Sequence, residues 1–146
     1  MIDDKNLHLL LDKVGIDKTQ IKTTNVVPEF FAPMVEDVKK DIIHKLSTVA
    51  NYTYYIESHK LKDLFSAYDV KATNRKTKYQ LGICRHIRKE ITINLGYYHN
   101  MEIDKDEVFQ TLVHEFVHGI VFHIYSQSGH NKLFHSLMYI LTGEFR

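Results

Sequence analysis

Tryptophan is absent from this 146-residue sequence, cysteine occurs once, as Cys84, and proline only twice. A single cysteine excludes an intramolecular disulfide, a four-cysteine zinc ribbon and any C-x-x-C site within the chain. No window approaches the roughly 18 consecutive apolar residues that a membrane-spanning helix needs, so no membrane insertion is expected. The net formal charge is only +1, so the chain as a whole has no field that would gather nucleic acid or an anionic bilayer. Its start, Met1-Ile2-Asp3-Asp4-Lys5, is acidic where a secretory leader is basic, and the apolar run Leu9-Leu10-Leu11 is too short for such a leader. A cytoplasmic protein is therefore expected. What remains is an ordinary 44% of hydrophobic and 25% of charged residues, enough for a single domain over residues 1–146 with one core, and an unusual ten histidines.

Periodicity outlines an α+β fold. Leu7, Leu10, Leu11 and Val14 suggest a short helix over residues 3–14, stopped by Gly15, and a connector holding Pro28 and Pro33 follows. After Pro33, the positions Val35, Val38, Ile42, Ile43, Leu46 and Val49 recur at three- and four-residue steps, which predicts a helix running to about Asn51. The period then changes. Tyr79, Leu81 and Ile83 alternate, as do Ile91, Ile93 and Leu95, with Arg85 to Lys89 polar between them; this predicts a β-hairpin, with Tyr68 to Thr73 as a third strand. Asp104 with Glu107 three positions on forms a capping box that opens a long helix, apolar around most of its circumference and hence buried. Ser126-Gln127-Ser128-Gly129 breaks it, and Leu133, Phe134, Leu137, Met138 and Leu141 restart helical spacing up to Gly143. The expected architecture is N-terminal helices, a small mainly antiparallel sheet, a long active-site helix and a shorter C-terminal helix.

The long helix carries His114-Glu115-Phe116-Val117-His118, an H-E-x-x-H motif. Each helical residue turns about 100°, so histidines four apart lie about 40° apart around the axis, and both imidazoles can reach one metal ion. Glu115, one step round, is placed to act on a water at that metal as a general base. In a chain this rich in histidine the five-residue motif arises by chance with a probability of roughly 0.04, and its place inside a buried helix adds the weight. A catalytic zinc needs a third protein ligand and leaves its fourth position to water. An H-E-x-x-H-x-x-G-x-x-H extension fails, because Val121 and Ile124 stand where it needs Gly and His. His130 follows the glycine break and directly precedes the last helix, so a chain reversal can bring it over the first two ligands. It is the favoured third ligand, with His135 next and Glu144 weaker; His123 lies about 140° from His118 on the same helix.

Four elements in order, Gly82-Ile83-Cys84-Arg85, Glu90-Ile91-Thr92-Ile93-Asn94, the H-E-x-x-H helix and Gly129-His130-Asn131-Lys132-Leu133-Phe134, resemble the SprT-like metallopeptidase domain of the Spartan kind over about residues 68–142. The resemblance implies a zincin-like fold and a zinc-dependent protease, with His114, His118 and His130 as ligands, Glu115 as base and Zn2+ as cofactor. It also implies protein or peptide substrates, DNA-associated proteins among them. Two departures stand out: Asn131 follows the third histidine where the family usually has glycine, and no zinc ribbon is present.

Charge is uneven along the chain, with nine basic and four acidic residues over 59–103. Lys71, Arg75, Lys76, Lys78, Arg85, Arg88 and Lys89 cluster about the hairpin, a region 71–89 suited to a DNA backbone, though a solvated β-surface carries such charges as well. Tyr52, Tyr54 and Tyr55 are read as packing at a helix end, Cys84 as a packed small residue, and His86 as a surface or hydrogen-bonded histidine. Tyr97, Tyr98, Tyr125 and Tyr139 are all candidates for a hydroxyl that stabilises an oxyanion. The rival to a peptidase is a zinc-stabilised, non-catalytic domain that binds DNA or protein; a regulatory peptidase specific for one partner is a third reading.

Overall fold

The computed structural model describes residues 27–74, 81–98 and 103–144. The helix expected over residues 3–14, and Arg75, Lys76, Lys78 and Tyr79, lie outside the described residues. Among those described, four α-helices and a three-stranded sheet form the α+β arrangement: α1 (Phe31–Thr48), α2 (Ser58–Ala67), β1 (Asp69–Thr73), β2 (Gly82–Arg85), β3 (Glu90–Asn94), a single 3-10 turn (Leu95–Tyr98), α3 (Lys105–His123) and α4 (Lys132–Thr142).

Helix α1 starts two residues before Pro33 rather than after it. A proline in the first helical turn sacrifices an N–H that has no intrahelical acceptor there, so the ring is tolerated. Phe31, Val35, Val38, Ile42 and Leu46 form its buried stripe. Helix α2 was not signalled by the sequence, because only Leu61 and Phe65 of its ten residues are buried. Its role is to seat Phe65 against Phe116 of α3, ring centroids 4.8 Å apart. Of the three tyrosines before it, Tyr54 packs against the core, but Tyr52 is 88% exposed and Tyr55 42% exposed. The packing expected for those two fails because Ile56, not a tyrosine, turns inward and fills the space.

The sheet order is β1-β3-β2, with β2 antiparallel and β1 parallel to β3. The hairpin and the third strand fall where alternation placed them, yet the sheet is mixed rather than mainly antiparallel. The chain leaves β1, crosses to the far edge to form β2, and returns through the middle as β3. Ile91 and Ile93, buried on the central strand, pair with Val70 and Ala72 on one side and with Cys84 and Gly82 on the other. Helix α3 packs on β2 and β3 and is itself wrapped by α1, α2 and α4. That explains its nearly all-round burial: Val108, Leu112, Val113, Phe116, Val117, Ile120 and Val121 are in the core. The Asp104 side chain accepts a hydrogen bond from the Glu107 N–H at 3.2 Å, the cap the sequence predicted. Helix α4 stops at Gly143, whose φ of 77° closes the helix in a left-handed cap that only glycine adopts without strain.

Candidate metal centre

Helix α3 carries His114 and His118 on the face that looks towards β2 and the start of α4. Between the helices the chain reverses through Ser126 and Gly129, both in left-handed backbone at φ 54° and 77°. Asn131 then caps α4: its side chain accepts from the Phe134 N–H at 2.9 Å and donates to Gln127 Oε1 at 2.7 Å. Asparagine is a strong N-cap, so this residue, at odds with the glycine of the family pattern, tethers the loop and fixes the residue before it. That residue is His130.

The three imidazoles meet at one point. His130 Nε2 lies 3.0 Å from His118 Nε2 and 3.1 Å from His114 Nε2, and one ligand atom from each of the three falls within 4.8 Å of the others. Three nitrogens on one tetrahedral zinc, each roughly 2.05 Å from it, would be about 3.3 Å apart. A neutral imidazole brings a single N–H, so hydrogen bonding serves these contacts one at a time, whereas a cation serves all three together. Burial, and then the neighbouring His114, His130 and His86, push the His118 pKa down to about 3. It is thus the neutral, ligating form that the fold favours. The floor under the three rings is Phe134, fully buried, with its centroid 4.8, 4.5 and 4.8 Å from those of His114, His118 and His130. The two other candidates stay out of the cluster. The His135 ring is 6.4 Å from that of His130, and Glu144 is exposed past the end of α4.

Glu115 is only 5% exposed and sits beneath β2. Its Cγ and Oε2 would each lie 3.0 Å from a Cβ added at Gly82. Strand and carboxylate approach so closely because residue 82 has no side chain. Among the described residues no hydrogen bond or ion pair holds this carboxylate, and burial alone raises its pKa to about 7. A divalent cation at the three imidazoles would favour the charged form.

Above these groups opens a cleft of about 660 Å³. One wall is β2 with Leu81, Gly82, Ile83, Cys84 and His86; the other is the α3 face of Gln110, Thr111, His114, Glu115 and His118, closed by Gly129 and His130. Sequence reasoning passed over His86. Gly82 and Cys84, two apart on β2, share the face towards α3, and His86, the first residue of the turn after the strand, extends that wall. The ring of His86 stacks flat on Phe122, 4.4 Å away with 6° between planes, and its Nδ1 is 3.5 Å from Cys84 Sγ. Cys84 is also 3.8 Å from the Tyr68 hydroxyl, and burial drives its thiol up to about 12. Of the tyrosines proposed for the oxyanion, Tyr125 and Tyr139 are not among the residues lining the cleft: Tyr125 donates to the Thr53 carbonyl at 3.4 Å and Tyr139 is half exposed; the side chains of Tyr97 and Tyr98 lie outside the described residues.

In the basic region, Lys71 pairs with Asp69 and Glu90 at 3.3 and 3.6 Å, and Arg85 with Glu90 at 3.6 Å. Local carboxylates thus answer two of the charges. No helix of the described residues is long and apolar enough to cross a membrane.

A model of the SprT-like family matches residues 43–145, more than half of the chain. No curated protein and no solved structure matches it. The chain therefore belongs to the SprT-like family and contains a metallopeptidase-like domain whose three-histidine group can hold a metal ion.

Proposed function

We propose that this SprT-like chain is a zinc-dependent peptidase in which His114, His118 and His130 hold the ion through their Nε2 atoms and Glu115 is the general base. One observation carries the reading: the Nε2 atoms of His118 and His114, at 3.0 and 3.1 Å from that of His130, stand beside a buried carboxylate with no hydrogen bond or ion pair among the described residues, in a cleft open to a substrate. A zinc ion bound there supplies Lewis acidity, lowering the pKa of a water and polarising the carbonyl to be cut. The rest falls to the chain. Glu115, held under Gly82, takes the proton of the attacking water and returns it to the departing amine. Phe134 keeps the three imidazoles in one orientation, and burial keeps His118 free of a proton.

The substrate class proposed is an extended polypeptide. Strand β2 lies at an edge of the sheet and forms a wall of the cleft, so a substrate backbone can add to it as a further strand and be carried past Glu115. A substrate attached to DNA would meet the tip of the hairpin, where Arg88 and Lys89 have no ion pair among the described residues.

Metal analysis of the purified protein and of His130→Ala, followed by hydrolysis of an unfolded protein by wild type and Glu115→Gln, tests this. The expected result is about one zinc per chain in wild type, much less in His130→Ala, and full zinc with cleavage reduced at least a hundredfold in Glu115→Gln. Zinc retained by a wild-type protein that cuts nothing would instead support a structural metal in a binding domain.

A further inference from the structure

The sheet has two edges, and the cleft uses one of them. Strand β2 walls the cleft, whereas β1 lies at the far edge, where no strand pairs with it among the described residues. The Asp69 N–H donates to the Lys89 carbonyl at 2.9 Å, on the side of β3. Successive residues of a strand direct their N–H and C=O groups to opposite sides, so Asp69, Lys71 and Thr73 bond to β3, while Val70 and Ala72 present theirs outwards. Beside this edge runs a groove of about 570 Å³ between β1 and the first turns of α1, floored in part by Phe31 and Val35. Glu36, Lys39, Asp69 and Lys71 line it as well. Two charges of each sign leave it no net field to gather nucleic acid or a strongly charged peptide.

We propose that this edge is a dimerisation surface, occupied by β1 of a second copy of the chain running antiparallel about a twofold axis at Val70. Charged residues, lysine above all, ordinarily deter pairing at an open edge. In this register they favour it. With Val70 opposite Val70 of the second copy, the outward N–H and C=O groups of the two valines bond to each other, and Asp69 falls opposite Lys71 of the second copy on both sides of the axis. These are non-hydrogen-bonded pairs, the kind whose side chains come closest. Moving the axis to Lys71 sets the two lysines against each other, and moving it to Ala72 sets Lys71 against Thr73. The contacts of Lys71 within its own chain, to Asp69 at 3.3 Å and Glu90 at 3.6 Å, are exposed, and such pairs hold their partners weakly. The product is a continuous sheet in the order β2-β3-β1-β1-β3-β2, with the two clefts at its outer edges. The inference does not rest on the peptidase reading.

Sedimentation equilibrium of the full-length protein between about 1 and 200 µM should show monomer and dimer in exchange. Asp69→Lys sets like charges opposite each other at both pairs, and so does Lys71→Asp; each should weaken the dimer at least tenfold. The double variant Asp69→Lys/Lys71→Asp should regain it. So should an equimolar mixture of the two single variants, because the two lysines of one chain then face the two aspartates of the other. A change of fold or a general loss of surface charge produces no such rescue. In the wild type, exchange of the Val70 amide with solvent should slow as concentration rises, which reads the pairing without any substitution. A chain that stays monomeric at about 200 µM overturns the proposal and leaves the edge to a strand of another protein or to the residues before Val27. A dimer that both single variants form at wild-type strength overturns it too, as does one in which the Val70 amide exchanges as fast as in the monomer.

Discussion

Replacing Gly82 by alanine tests whether the absence of one side chain is what lets strand and base share their space. The added Cβ would lie 3.0 Å from Glu115 Cγ, 3.0 Å from Oε2 and 3.2 Å from Cδ. Ordinary carbon contacts are about 3.5–4.0 Å, so something must give by roughly half an ångström or more. The backbone of β2 is tied to β3 by the pairing of Gly82 with Ile93, and Glu115 stands on a helix packed on every side. Relief must come from the carboxylate swinging off its rotamer or from β2 lifting from α3. Overpacking of this kind costs about 1–3 kcal/mol, and a base misplaced by about 1 Å costs about 100-fold in rate. Urea denaturation of wild type, Gly82→Ala, Glu115→Ala and the double variant isolates the contact. Truncating Glu115 removes the atoms that the methyl meets, so the double variant should recover about 1 kcal/mol or more of the loss. Zinc content should not change, because the three atoms nearest the methyl all belong to Glu115. An alanine variant with unaltered stability and unaltered cleavage, or a coupling energy near zero, would show that a side chain at residue 82 does not compete with Glu115.

Phe134→Leu should weaken zinc binding at least tenfold in competition with a chelator, since one ring supports all three imidazoles, and should leave the helices in place by circular dichroism. In the metal-free protein, burial raises the Glu115 pKa from its ordinary 4.5 to about 7, so the folded state binds the extra proton between these values and stability falls as pH rises through them. Glu115→Gln should therefore stabilise the metal-free protein by up to about 3 kcal/mol at pH 8 and by little at pH 4.5, read from urea midpoints. His118 acts in the opposite sense: with a native pKa of about 3 against 6.5, the unfolded state binds more protons in between, and metal-free protein should lose stability as pH falls from 6.5. Cys84 should react with iodoacetamide at pH 8 about 1000-fold more slowly than an open thiol, with a rate that climbs about tenfold per pH unit; a rate near that of free cysteine would contradict the buried, protonated thiol.

The parts that could be read in advance are those specified locally. Asp104 with Glu107, the apolar circumference of α3 and the Gly129 break each act within a turn or two of chain, and so the long helix, its cap and the position of His130 were legible. The 40° offset of His114 and His118 is a property of any helix. What lay hidden depends on residues distant in sequence. The parallel pairing of Val70 with Ile91 leaves no trace in the alternation of either strand, because both read alike whichever direction the partner runs. Tyr52 and Tyr55 look like core residues until Ile56 takes the inward position. Phe134 reads as one apolar residue of α4, and its place beneath three rings follows only from the crossing of two helices. His86 was legible in part: it directly follows β2, but only the docking of that strand on α3 makes it part of a cleft wall.

The three imidazoles lie close together along the chain, His118 and His130 12 positions apart and His114 and His130 16 apart, whereas the cleft wall at Gly82 and the strand that must pair with β1 come from well upstream. Closing so short a loop costs little entropy, while the β1–β3 pairing spans a longer detour. Helix α3, the turn and α4 thus form a unit that an ion can clasp during synthesis or refolding before the sheet is docked. A chain folded only this far has its three imidazoles together but lacks the strand wall at Gly82 that covers Glu115.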